Sequence, residues 1–103
     1  MEYAVAVRGA GRVELAAYGL ADAEHQVEKE LRALWPDALA EVTDVGRSNA
    51  SARIVEEFRV SYRLRGVVSA EGETEADARK AALRTLRDRF AGSRFERVTW
   101  EVV

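Results

Sequence analysis

From Ile54 to Gly72 apolar and polar positions alternate. Ile54, Phe58, Val60, Tyr62, Leu64, Val68 and Ala70 fall on even numbers, and Glu57, Arg59, Ser61, Arg63, Arg65, Ser69 and Glu71 on odd ones. A period of two over such a length marks a strand with one face in a core and the other in water. As one strand, these 19 residues would span ~60 Å, more than a compact domain of this length allows. The stretch is therefore expected to bend or turn, with Gly66 the natural place. A loop of Leu64-Arg65-Gly66 would set Ser61 opposite Ser69 and Arg59 opposite Glu71. A single bent strand would instead leave an overhang open to a partner chain.

The N-terminal pattern has the same form. Tyr3, Val5 and Val7 alternate, Gly9-Ala10-Gly11 intervenes, and Val13, Leu15 and Ala17 resume the alternation. A three-residue loop ending in glycine suits a type I turn with a G1 bulge, so a hairpin is the economical reading. The period then changes. Val27, Leu31, Leu34 and Trp35 form one helical stripe, with Asp22 as the expected N-cap and Pro36 ending the helix near Trp35. Leu39 to Val45 reads as a short strand with a blurred face, and residues 46–51 as a turn-rich loop. Thr74 caps a second helix, striped by Ala78, Ala82, Leu86 and Phe90 and closed at Gly92. Val98, Trp100 and Val102 alternate in a closing strand.

The two halves echo one another. Val7-Arg8-Gly9 resembles Leu64-Arg65-Gly66, Ala21-Asp22-Ala23 matches Ala76-Asp77-Ala78, and Trp35 aligns with Phe90. An internal repeat over residues 2–46 and 53–103 follows, each copy a ββαβ unit. The expected fold is thus a single α+β domain over residues 1–103, with a mainly antiparallel sheet, two helices on one face and a ββαβ-ββαβ pseudo-repeat. The alternative is the ferredoxin-like βαββαβ order with an extra N-terminal strand.

Composition narrows the chemistry. The 103 residues hold 48% hydrophobic and 33% charged side chains, ordinary for a folded soluble domain. Without cysteine, disulfides, thiol catalysis and Cys-ligated metal centres drop out. No export signal or membrane-length apolar run is read, so a cytoplasmic location and no membrane partner are expected. Arginine and alanine richness suggests a GC-rich bacterial genome and a thermophilic source. The net charge of −2 provides no overall attraction to nucleic acid. It is unevenly spread: residues 1–51 carry 5 basic and 9 acidic side chains (−4), and residues 52–103 carry 11 and 9 (+2).

Candidate chemistry is sparse. His25 is the sole histidine, in the first turn of a helix with only Glu24 and Glu28 beside it, which is too little for a metal site. Gly9-Ala10-Gly11 lacks the third glycine and the following helix of a dinucleotide loop. The acidic run Glu71–Asp77 does not match EF-hand spacing. Asn49-Ala50-Ser51 fits a glycosylation sequon but reads as a turn. No catalytic residue, metal or cofactor is expected.

The one feature with binding character is the arginine-bearing strand face: Arg59, Arg63 and Arg65, joined by Arg97. Such a face suits nucleic acid or a protein partner, although Phe58, Tyr62 and Trp100 point into the core instead of offering stacking platforms. The leading expectation is a non-catalytic binding or assembly module acting as a homodimer. An RNA-binding accessory protein is the alternative, and a carboxylate enzyme with its site at a dimer seam is the second alternative.

Overall fold

A computed structural model describes residues 1–49 and 55–103. Elements follow the order β1 (Glu2–Ala17), α1 (Leu20–Leu34), β2 (Leu39–Asn49), β3 (Glu56–Glu71), α2 (Glu75–Phe90) and β4 (Thr99–Val102). The strands form one four-stranded antiparallel sheet in the order β2-β3-β1-β4. Both helices cover the same face: Val5, Val7, Val13, Leu15 and Ala17 of β1 join Phe58, Val60, Tyr62 and Leu64 of β3 beneath them. The class is α+β, as the periodicities require.

At the level of single strands the two glycine-centred hairpins do not form. β1 and β3 are each 16 residues long and pair with one another from Glu2↔Glu71 to Ala17↔Glu56. The element order is therefore the β-α-β-β-α-β order, without an additional N-terminal strand. Two units, β1-α1-β2 and β3-α2-β4, meet along the β1–β3 pair. Arg59 lies opposite Glu14, not Glu71, and Glu71 lies opposite Glu2.

The glycines act through missing volume. A Cβ on Gly9 would lie 2.7 Å from Trp100 Cζ3, one on Gly11 2.5 Å from Tyr62 Oη, and one on Gly66 2.6 Å from Trp35 Cζ2. Glycine inside a strand often marks such a close approach. Among the described residues only Gly92 has a positive φ, 77°, and it sits just past α2, where a left-handed residue ends a helix.

The rings over these glycines join the two helices. Trp35, capping the C-terminus of α1, packs edge-on against Trp100 at 5.9 Å, and Phe90, the last residue of α2, at 5.0 Å. Phe95 stands edge-on to Tyr62 at 5.3 Å. The C-terminal ends of the helices thus meet over the middle of the sheet. Helices of 15 and 16 residues set end to end cover ~46 Å, close to the ~53 Å reach of a 16-residue strand. The molecule measures 57 × 19 × 19 Å, with a radius of gyration of 15.7 Å against ~13 Å for a compact chain of this length.

Local signals held with adjustments. Thr74 Oγ1 accepts the Asp77 N–H at 3.2 Å, as a cap should. α1 starts three residues earlier than expected, at Leu20 with Gly19 rather than Asp22 at the N-cap. Asp22 is its third residue and reaches back past the N-cap to accept the Tyr18 N–H at 3.1 Å, an acid placed at the positive end of the helix. β2 runs through Asn49, with register shifts between Val42 and Asp44 and between Arg47 and Asn49. Each adds a residue to one strand. Ala40, Val42 and Val45 therefore all reach the core, which explains the blurred pattern. The expected 46–51 loop is strand through Asn49. Ala50 and Ser51 of the sequon, and Ile54, lie outside the described residues.

Candidate binding face

Among the described residues the opposite face of the sheet carries no helix. Even positions of β1 and odd positions of β3 point into solvent there: Glu2, Ala4, Ala6, Arg8, Ala10, Arg12 and Glu14 against Glu71, Ser69, Val67, Arg65, Arg63, Ser61 and Arg59. Register places like charges directly opposite at two levels, Glu2↔Glu71 and Arg8↔Arg65. Between them lie Ala4↔Ser69 and Ala6↔Val67, small or apolar, with Val67 58% exposed.

At the broadest part of the sheet the twisted face forms a shallow hollow of about 720 Å³. Arg8, Arg63 and Arg65 supply its cations, Glu41 and Glu101 its anions, and Ala10 and Leu39 an apolar margin. Leu39 is 65% exposed, unusual for a leucine at a strand start. Arg8 and Glu101 form a two-pronged pair, Nη2–Oε1 2.8 Å and Nε–Oε2 3.3 Å. The hydrogen bonds to Arg8, and then its charge, hold the Glu101 carboxyl below its ordinary range, and the same contact raises the Arg8 guanidinium. Arg63 faces Ala10 and Glu41 across its two neighbouring strands. Among the described residues neither Arg63 nor Arg65 makes an ion pair.

Of the four arginines singled out from sequence, Arg63 and Arg65 line the hollow. Arg59 shares the face but lies farther along it, 3.4 Å from Glu14. Arg97 is exposed in the turn before β4 and does not line the hollow. Arg8 and Glu101 complete the group and were hidden from sequence reading. Arg8 stands beside Gly9, whose reading as a turn interrupts β1 where its alternation actually continues. Elsewhere, His25 is exposed on α1, and among the described residues no three His, Cys, Asp or Glu side chains are gathered to hold a metal. Among the described residues no helix is long and apolar enough to cross a membrane.

No family model and no curated protein matches the chain. Among solved structures, the crystal structure of a hydantoinase/carbamoylase family amidase from Burkholderia ambifaria is similar at 19% identity with a TM-score of 0.31. That alignment covers 99% of this chain and 28% of the amidase chain. This chain thus spans little more than a quarter of the matched protein.

Proposed function

We propose that the protein is a non-catalytic binding and assembly module that acts as a homodimer, with the uncovered sheet face as its contact surface. The observation that carries this reading is that face itself: both helices sit on the other side, leaving an exposed ribbon 16 residues long. Along it like charges face one another at Glu2–Glu71 and Arg8–Arg65, and among the described residues Glu2, Glu71 and Arg65 make no ion pair. A second feature supports it. β4 pairs only with Val7–Ala10, so among the described residues the outer edge of β1 from Arg12 to Ala17 has no neighbouring strand. Free edges of this kind invite another chain.

The chemistry of the hollow favours binding over acid–base catalysis. A general acid needs a carboxyl raised toward neutrality, whereas Glu101 is pushed the other way by Arg8. RNA is a weaker fit than protein. Tyr62 and Phe58 face the helices, and Glu41 and Glu101 interrupt the arginines, so the face offers few stacking surfaces and a mixed potential.

Sedimentation velocity across a wide concentration range tests the reading. A concentration-dependent dimer is expected, and a monomer at every concentration would refute it. A parallel titration with single-stranded RNA should give no salt-dependent shift that Arg63→Glu with Arg65→Glu abolishes. Such a shift would transfer the face to the RNA reading.

A further inference from the structure

The contact surface can be specified further, resting on the dimer reading above. Along the open face the side chains form four successive levels: the acidic pair Glu2–Glu71, then Ala4–Ser69, then Ala6–Val67, then the basic pair Arg8–Arg65. We propose that this segment docks face to face with the same segment of a second copy. The two-fold axis passes through the Val5–Val68 level, so that Glu2 and Glu71 of each copy meet Arg8 and Arg65 of the other.

Three properties of the segment carry this. Like charges directly opposite on neighbouring strands destabilise a sheet, and the monomer holds two such pairs within six residues of each other. Among the described residues only Arg8 of the four has a carboxylate or cation partner, Glu101. A second copy turns both repulsive levels into attractive ones, because the order acidic–small–small–basic becomes its own complement on reversal. That is the condition for an isologous interface.

The separation also fits. Six residues place the charged levels ~20 Å apart, each ~10 Å from the axis. At that distance the ~30° crossing of stacked sheets displaces them by little more than one strand spacing, within reach of an arginine. The levels at the axis, Ala4, Ala6, Val67 and Ser69, are all exposed and short enough for the two sheets to approach closely.

The segment is narrow. β2 begins opposite Arg65 and β4 reaches only Val7, so beyond these levels the ribbon is largely two strands wide. At ~4.8 Å between strands, the contact falls well short of the ~800 Å² per partner of a standard interface. The dimer is accordingly weak, and much of its free energy comes from charge pairing at a solvent-exposed surface, which salt screens.

Charge exchange tests the proposal. One variant carries Glu2→Arg and Glu71→Arg, the other Arg8→Glu and Arg65→Glu, and circular dichroism checks that each keeps its fold. The natural chain should dimerise at low salt and dissociate as salt rises. Each variant alone should associate on the order of tenfold more weakly or worse, and the two mixed should form a one-to-one complex. If both variants dimerise as well as the natural chain, the dimer uses another surface: this inference falls and the assembly reading stands. If each variant is monomeric and the mixture gives no complex, the inference also falls. If the natural chain is monomeric throughout, both fall. Should a reversal disturb folding, Glu2→Gln with Glu71→Gln serves in its place. It should weaken the dimer and flatten its salt dependence, and an unchanged salt dependence would overturn the pairing.

Discussion

Gly66→Ala probes whether this glycine serves a backbone conformation or a side-chain contact. Its added methyl would stand 2.6 Å from Trp35 Cζ2 and 3.0 Å from Cη2. Trp35 is only 2% exposed and edge-packed on Trp100, so the indole cannot swing into solvent. Overpacking of this kind costs ~1–3 kcal/mol. Alanine recovers ~0.5–1 kcal/mol of the entropy that glycine loses in a strand. The expected net loss is therefore ~0–2.5 kcal/mol, with its middle at ~1 kcal/mol. For a domain near this size each kcal/mol lowers Tm by ~4–8 °C. The diagnostic measurement is the double-mutant cycle with Trp35→Leu, read by urea unfolding followed by circular dichroism. Trp35→Leu is destabilising by itself, but it removes the obstructing ring, so Gly66→Ala in that background should become neutral or mildly stabilising. The coupling energy should reach ~1 kcal/mol or more, as expected for residues in contact. If Gly66→Ala costs the same in both backgrounds, the glycine is required for its backbone and the close-approach account is wrong.

Three further outcomes follow from individual contacts. Thr74→Ala removes the acceptor of the Asp77 N–H and should cost ~1 kcal/mol, visible as a lower Tm that Thr74→Ser largely restores. Burial pushes the Tyr62 hydroxyl up from 10.0 to about 12. The folded-state value is raised, so this contribution is complete below pH 10 and is lost as pH rises toward 12. Tyr62→Phe should therefore reduce the alkaline loss of stability, measured by unfolding across that range. Glu101 is held low by Arg8, so its contribution is present above the ordinary carboxylate range and lost as pH falls through the lowered value. The stability difference between the natural chain and Glu101→Gln should shrink in acid and in high salt. A difference that grows in acid would refute the assignment.

The two helices, the α2 cap and the faces of β1 and β3 were legible because they are local, whereas the α1 cap, expected at Asp22, lies at Gly19. The stripe Ala78–Ala82–Leu86–Phe90, the Thr74 cap and the Gly92 terminator each follow from residues within one or two turns. The full lengths of β1 and β3 were not, because glycine has two meanings. Gly9 and Gly66 read equally well as members of a glycine-closed turn or as clearings for a ring. The rings concerned, Trp100 and Trp35, lie 91 and 31 residues away. The assumption of a compact outline compounded this. A long continuous strand is excluded from a near-spherical domain but not from one 57 Å long, and that length is possible because the helices sit end to end.

Register also decides what the open face can do. Alternation alone placed Arg59, Arg63 and Arg65 on one side, whichever strands were their neighbours. Had residues 54–72 folded into a hairpin, Arg59 would have met Glu71 and the face would have neutralised part of its own charge. Pairing β3 with β1 along its whole length instead gives Arg59 to Glu14 and leaves Glu71 facing Glu2 and Arg65 facing Arg8. Glu71, which the hairpin would have given a cation, thus faces a second carboxylate, and Arg65 faces Arg8, whose carboxylate partner is Glu101 on the far side. Because the two pairs have opposite sign, are separated by short side chains and lie on an uncovered surface, a reversed second copy relieves both at once.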